Sequence, residues 1–349
     1  MTRRRRGSVV RWGRRLLAAV LALAALAGGA WLAWRHETRV VKLPAGTPPV
    51  KLVVPPGSSA GAIGRKLETL GLVRHPLLFV ALVRARGVGG QLKAGEYALE
   101  GPLSLEDMVG ALARGEVVRH DVTIPEGRSL EETAALVGRA GVDAESFLAA
   151  ARDPEPVRDL DPDATDLEGY LFPDTYHVPL APDPAPALVR RMLQRFREVV
   201  GPELTRIEKK GLTVREVVIL ASLVELETAA VEERPRIAGV FLNRLERRML
   251  LQTDPTVVYA LKQEGRWDGN IRRRDLEIDS PYNTYRHAGL PPGPIGSPGR
   301  EAILAVLDPQ ETRELYFVSR NDGTHHFSET LKEHNRAVDR YQRRRRRGR

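Results

Sequence analysis

The sequence predicts an α+β fold: a single N-terminal transmembrane helix, a region of short strands and helices, and a mixed α/β domain around a buried helix. Three observations lead there. An uncharged run opens the chain, a strand–turn–helix pattern occurs twice between residues 50 and 150, and the stretch after Thr213 is apolar on nearly every side.

A chain of 349 residues has room for two folded units with cores of their own. Its formal charge of +9 suggests a nucleic-acid or membrane partner until the charge is located. Seven arginines precede Leu16 and six follow Gln342, with no acid among them. Setting those thirteen apart leaves 41 basic residues against 45 acidic ones, so the body is slightly acidic and nucleic-acid binding is excluded as a leading class. Cysteine is absent, which removes disulfide frameworks and thiol chemistry.

Residues 16–34, LLAAVLALAALAGGAWLAW, are nineteen without a charge. That length just spans a hydrocarbon core, and the arginines before it place the N-terminus in the cytoplasm. Residues 1–15 then form a basic cytoplasmic tail, 16–34 an anchor and 35–49 a linker. Everything beyond lies outside the plasma (inner) membrane, as in a single-pass protein. A cleaved signal peptide competes, because ALAG at Ala25 to Gly28 resembles a cleavage site. The apolar run continues to Trp31 and Trp34, which suits a retained anchor.

Residues 50–73 read strand, Pro-Gly turn, serine cap, helix and glycine stop. The grammar returns at 120–142, with Pro55 matching Pro125, Gly57 matching Gly127, Ser59 matching Ser129 and Gly71 matching Gly141. Ser129 and Glu132 have capping-box spacing. Between the copies lie a strand near Glu96 to Leu99 and a helix opened by Ser104. The doubled pattern resembles the peptidoglycan-binding LysM module, so 50–150 is assigned as a LysM-like region; an ordinary β-turn-α unit gives the same pattern.

Residues 151–342 form the second domain, and 343–349 a basic tail. After the loop 154–165 comes an aromatic segment with Tyr170, Phe172 and Tyr176, read as core in preference to sugar-stacking surface. An amphipathic helix follows over 187–200, and then a long helix from near Thr213 that carries ASLVELETAAVEERPRIAGVFLNRL (221–245). The end is LYFVS, an Asn-Asp-Gly turn, HHFS and a helix from Thr330.

Val217, Val218, Ile219, Leu220, Leu223, Val224 and Leu226 surround the helix axis, and a helix apolar all round is buried. Glu225 and Glu227 stand about 200° apart on it, on opposite sides. At least one sits in apolar surroundings, where a carboxyl takes a raised pKa and suits general-acid work. Geometry alone does not choose between them. Glu232 and Glu233 read as an exposed, charged helix end.

The stretch 221–261, with EGYLFPDTY (168–176), SPYNTYRHAGLPPGPIGSPG (280–299) and LYFVSRNDGTHHFSETLKEHN (315–335), resembles the YceG-like endolytic murein transglycosylases (MltG) over roughly residues 50 to 340. The resemblance implies an enzyme whose catalytic acid is the second glutamate of an E-x-E-T motif, here Glu227. Leu226 departs from the lysine expected between the two glutamates, which makes the neighbourhood more apolar. The implied reaction cleaves the glycan between N-acetylmuramic acid and N-acetylglucosamine without water, closing a 1,6-anhydro ring on the muramyl residue. It needs no cofactor. The implied partners are peptidoglycan strands, and with them penicillin-binding proteins and the elongation or division machinery.

Gln252, Thr253 and Asp254 are candidates for binding sugar hydroxyls or Glu227, although Asp254-Pro255 also fits a helix start. Asn283 and Tyr285 offer an amide and a ring face for N-acetyl sugars, or else a turn centred on Asn283. His325, His326 and His334 fit no zinc spacing, so no metal is assigned. Two other classes compete: a non-catalytic wall-binding scaffold, and a hydrolytic muramidase with Glu225 or Asp254 as second carboxylate.

Overall fold

The computed structural model describes residues 17–18, 20–29, 31–32, 41–42, 48–179 and 183–343. Of the expected anchor 16–34, residues 17–18, 20–29 and 31–32 are helical with exposed side chains; the rest of it, tail 1–15, most of linker 35–49 and nearly all of tail 343–349 lie outside the described residues. Among the described residues no helix is long and apolar enough to cross a membrane. The chain divides into two compact units, residues 1–119 with 179–182, and residues 120–178 with 183–349.

In the first unit β1 (Val41–Lys42) pairs antiparallel with β4 (Pro102–Leu103), and β2 (Val50–Val54) with β3 (Gly95–Leu99). Alternation decides which face β2 and β3 bury: Leu52, Val54, Tyr97 and Leu99 point inward. They meet Ile63 and Leu67 of α1 (Ala60–Thr69), Phe79 of α2 (Pro76–Ala85) and Leu112 of α3 (Leu105–Arg114) in one core. Ser104 and Asp107 close a capping box on α3, the start expected from the sequence.

The second unit opens with β5 (Arg119–Thr123), which pairs with β6 (Thr175–Pro179). Next come α4 (Leu130–Arg139), α5 (Ala144–Ala151), α6 (Ala185–Val200) and α7 (Leu204–Lys209). Then follow α8 (Val214–Glu227), α9 (Arg234–Glu246), α10 (Asp254–Gln263), α11 (Arg300–Leu307), the hairpin β7 (Tyr316–Ser319) and β8 (His325–Ser328), and α12 (Leu331–Val338). The α8 helix runs through the middle of the large core: Val217, Val218, Leu220, Leu223 and Val224 are all buried in it. Tyr170, Phe172 and Tyr176 lie in the same core, as core residues and not as a sugar-stacking face.

The two strand–turn–helix copies are built alike. Gly57 and Gly127 take φ of 74° and 75°, a region glycine enters without steric cost, and Ser59 and Ser129 cap their helices. They belong to different units, however. The second copy clusters with the second unit because Leu130, Ala134 and Val137 join that unit's core.

One element differs from its expected form. The helix over 213–245 is two helices, because α8 ends at Glu227, where Thr228 turns extended with φ −144° and ψ 138°. Pro235 begins α9 in its first turn, where its missing N–H costs nothing. The charged residues Glu232, Glu233 and Arg234 with Pro235 are the sequence marks of this break.

Candidate active site

Glu227 is the last residue of α8, so its side chain leaves the buried helix where the backbone turns away. Thr213 and Glu216 box the other end, and the turn of the helix between residues 225 and 227 separates the directions of the two glutamates. Those directions are opposite, and the two carboxyls have different company.

Glu225 is locked. The Arg234 Nη2 donates to its Oε1 at 2.6 Å and the Gly299 amide to its Oε2 at 3.0 Å, with both charged side chains almost fully buried. Burial, aided by the nearby Glu126 carboxylate, pushes the Glu225 carboxyl up, and the Gly299 amide and Arg234 oppose it by favouring the anion. A Cβ on Gly299 would stand 1.8 Å from the Glu126 Oε1, so a larger residue here would displace that exposed side chain. A carboxyl held on both oxygens in this way is a structural joint, and its fixed partners, more than its proton affinity, set it apart from Glu227.

Glu227 is half-buried and has one described hydrogen-bond partner, the Thr253 hydroxyl, which donates to its Oε1. Burial pushes its carboxyl up to about 7, the Thr253 hydrogen bond opposes this, and the Asp254 charge adds to it. A substantial share of the molecules therefore still hold this proton near neutral pH, as a general acid requires.

Thr253 is held in turn. Its amide donates to the Thr284 Oγ1 at 3.1 Å, and the Thr256 and Thr284 hydroxyls meet at 2.9 Å. Gln252, with φ of 49°, donates its backbone amide to the Thr284 carbonyl at 3.1 Å. This hydroxyl ladder ties the loop before α10 to the 280–285 turn.

Two cavities meet at Glu227 and Asp254, which line both. The first, about 360 Å³, is walled by Leu226, Pro255, Val258, Tyr259 and Ile295. The second, about 460 Å³, is walled by Arg244, Gln252, Tyr285, Tyr316, His325 and His334. A third, about 460 Å³, shares Ser129, Glu132, Tyr259 and Lys262 with the first.

The predicted site residues divide. Gln252, Asp254 and Tyr285 join Glu227 around the second cavity, the Tyr285 hydroxyl donating to the Asp254 Oδ1 at 2.5 Å. Thr253 is buried behind them and reaches Glu227 directly. Asn283, expected to grip sugar, is fully buried: its Nδ2 donates to the Leu276 and Ile278 carbonyls at 3.0 and 2.8 Å, and its Oδ1 accepts from the Tyr285 amide at 3.0 Å. Every polar atom of that amide is engaged by backbone, so Asn283 builds the turn that presents Tyr285. Glu233 is not the exposed helix end expected of it, since its Oε2 meets the His325 Nδ1 at 2.7 Å in a largely covered pair.

Sequence reasoning missed Arg244, Tyr316 and the Lys262–Glu132 ion pair at 2.7 Å on the wall of the first cavity. Lys262 and Glu132 lie 130 residues apart and carry no local signal. Arg244 was legible in principle, as an arginine on the inward face of an apolar helix.

A protonated carboxyl, steadied by a buried hydroxyl and open to cavities on two sides, defines a general-acid enzyme suited to an extended polymer rather than to a small metabolite. The comparisons agree on its kin. The YceG-like family model matches residues 52–340. The endolytic murein transglycosylase of Bacillus subtilis is 33% identical over 330 residues, covering 90% of each chain. That of Streptococcus pneumoniae strain D39 is 36% identical over 323 residues, covering 83% of this chain and 58% of its own length. A crystal structure of a YceG-like protein from Listeria monocytogenes superposes with a TM-score of 0.58 at 32% identity, covering 82% of this chain and 98% of the other. The chain belongs to the YceG-like family.

Proposed function

We propose that this chain is an endolytic peptidoglycan transglycosylase in which Glu227 is first the acid and then the base. The observation that carries the reading is the position of Glu227 on the wall shared by two cavities, with the Thr253 hydroxyl on its Oε1. A strand lying through both cavities presents an internal glycosidic oxygen to that carboxyl, which is what cutting within a chain demands. The relatives named as endolytic murein transglycosylases supply the substrate class.

The protonated Glu227 gives its proton to the oxygen leaving the muramyl C1, while positive charge develops on that sugar ring. The Thr253 hydrogen bond stabilises the carboxylate that remains. That carboxylate then takes the proton of the muramyl 6-hydroxyl as its oxygen closes on C1. One carboxyl serves both steps and no water is consumed, so the second carboxylate of a hydrolase is not needed.

Anchoring by residues 16–34 in the plasma membrane, with the N-terminus cytoplasmic, would hold this site near emerging strands and end their elongation. Penicillin-binding proteins and the elongation or division machinery are the partners such a position brings, and the LysM-like region would face the same glycan. One observation favours a second reading: Asp254 lines both cavities beside Glu227, as a hydrolytic muramidase would need.

The test incubates the full chain in detergent, and its Glu227→Gln variant, with purified peptidoglycan. Released muropeptides are read by mass spectrometry. Anhydro ends from the unmodified chain alone support the transglycosylase; reducing ends support the Asp254 hydrolase. Binding without release from either protein supports a scaffold.

A further inference from the structure

Three of the buried or half-buried arginines of the second unit have carboxylate partners: Arg215 with Asp161, Arg234 with Glu225 and Arg236 with Glu314. Arg244 is different. Only 7% exposed, it gives its Nε to the Leu315 carbonyl at 2.6 Å and its Nη1 to the Leu251 and Leu250 carbonyls at 2.7 and 3.2 Å. Its guanidinium carbon stands 5.2 Å from the centre of the Tyr316 ring. Among the described residues no carboxylate pairs with it, and its Nη2 has no acceptor.

Carbonyls satisfy the geometry of a guanidinium without cancelling its charge, and a buried charge with no ion-pair partner is costly to keep, the Glu227 carboxyl offsetting only part of that cost from a distance. Arg244 keeps it on the wall of the second cavity, beside Tyr316 and His334, whose rings stack at 5.2 Å. The His334 Nδ1 is likewise buried without a partner. The first cavity is the opposite: its wall is largely apolar and its cation, Lys262, is already paired with Glu132. The two sides of Glu227 thus differ in one respect that a glycan can read.

In peptidoglycan only the muramyl residue carries acid, on its lactyl ether or on the peptide attached through it; N-acetylglucosamine carries none. We propose that Arg244 receives a carboxylate borne by the muramyl residue, and so determines which sugar enters which cavity. The muramyl ring then occupies the Tyr316 side and the leaving N-acetylglucosamine the Leu226 side. This assignment of direction rests on the proposed transglycosylase reading.

The experiment uses the full chain in detergent with three strand preparations. The first bears its peptides, the second is stripped by an amidase to the free lactyl carboxylate, and the third is stripped with that carboxylate converted to a neutral methylamide. Anhydro ends are counted for the unmodified chain, Arg244→Gln and Arg244→Lys, with thermal midpoints to show that each variant folds. The expected result is a kcat/KM roughly 10- to 100-fold lower on the neutral strands, as for loss of a hydrogen-bonded charge. That preference, read as the ratio of kcat/KM on charged to neutral strands, disappears in Arg244→Gln and returns in part in Arg244→Lys; a change common to all strands, as the Arg244 charge acting on Glu227 would cause, divides out of the ratio. A preference for peptide-bearing over stripped strands makes the peptide the source of the carboxylate; the reverse makes it the lactyl group.

Indifference of the unmodified chain to neutralisation overturns the proposal without any variant. So does an equal loss on all three strands in a folded Arg244→Gln, which would make the guanidinium only a tie between 250–251 and 315. If the unmodified chain makes no anhydro ends at all, the transglycosylase reading fails separately. Calorimetry with free N-acetylmuramic acid and with a muramyl dipeptide then reads Arg244 directly: binding of either lost in Arg244→Gln supports its role, and unchanged binding of both ends it.

Discussion

Thr253 is the N-cap of α10 but makes no side-chain capping bond, because its hydroxyl donates to the Glu227 carboxyl. A threonine at this position ordinarily contributes about 1 kcal/mol by accepting from the first turn of its own helix. Here that helix is left uncapped and the donor is pointed at the candidate acid. The hydrogen bond favours the anion and so holds the carboxyl below the value burial alone would give it.

Replacing Thr253 with valine tests this directly. The variant keeps the shape of the side chain and removes the donor, and the helix loses no capping bond it ever had. The pH limb reporting Glu227 moves to higher pH by about one unit, since a hydrogen bond to a charged group is worth about 1.5–3 kcal/mol and one unit about 1.4. The rate at neutral pH falls about tenfold because the carboxylate left after proton donation loses its donor. Thr253→Ser restores both. A pH–rate profile of the three proteins reads the shift, and an unmoved limb with a lowered rate would mean that Thr253 only shapes the loop.

The unmodified chain has its own pH dependence. Glu227 must hold a proton to act, and burial keeps it there up to about 7. The sign is that of a raised carboxyl: kcat/KM is flat on the acid side of that value and falls about tenfold per unit above it. Anhydro-end formation followed from pH 5 to 9 gives the profile. A limb near the ordinary carboxylate range would place the active carboxyl in water, and the acid elsewhere than Glu227.

What was legible from sequence divides along the same line as what is local. The start of α8 near Thr213, the glycines at matched places in the two copies, the hairpin at 315–328 and the burial of α8 follow from spacing within one element. The choice between Glu225 and Glu227 does not, because their partners lie far along the chain: Gly299 is 74 residues from the first and Thr253 26 from the second. Asn283 shows the converse error. An amide in a polar, aromatic stretch reads as a sugar ligand, but two carbonyls five and seven residues before it take its donors. The end of α8 did carry a local mark, since Glu232, Glu233, Arg234 and Pro235 follow within eight residues of Glu227 and interrupt its apolar pattern.

Asn283 therefore has a stability cost and not a binding one. Truncation to alanine leaves the buried carbonyls of Leu276 and Ile278 without their donor and frees the turn that holds Thr284 and Tyr285. A loss of about 2–4 kcal/mol is expected, from unsatisfied buried acceptors plus lost turn geometry. Urea unfolding measures it. Per folded molecule, KM for glycan stays within about twofold, whereas a sugar ligand would raise KM and leave stability alone.

Glu168 is a second buried carboxyl, and it lies outside the cavity chemistry. Its Oε2 accepts from the Leu130 amide at 3.1 Å and from the Tyr259 hydroxyl at 3.3 Å, while its Oε1 is buried without a partner. Burial pushes it up to about 8, against the Leu130 hydrogen bond. The folded chain thus binds this proton more tightly than the unfolded chain, whose glutamate titrates near 4.3. The stability it brings is fully present below that lower value. It is lost as pH rises toward 8, by up to about 1.4 kcal/mol per unit. Glu168→Gln removes the titration and keeps an acceptor for Leu130. Urea unfolding of both proteins between pH 5 and 8 is expected to show the variant gaining on the unmodified chain across that window. Parallel curves would mean that Glu168 finds a counter-charge in solution and ionises without penalty.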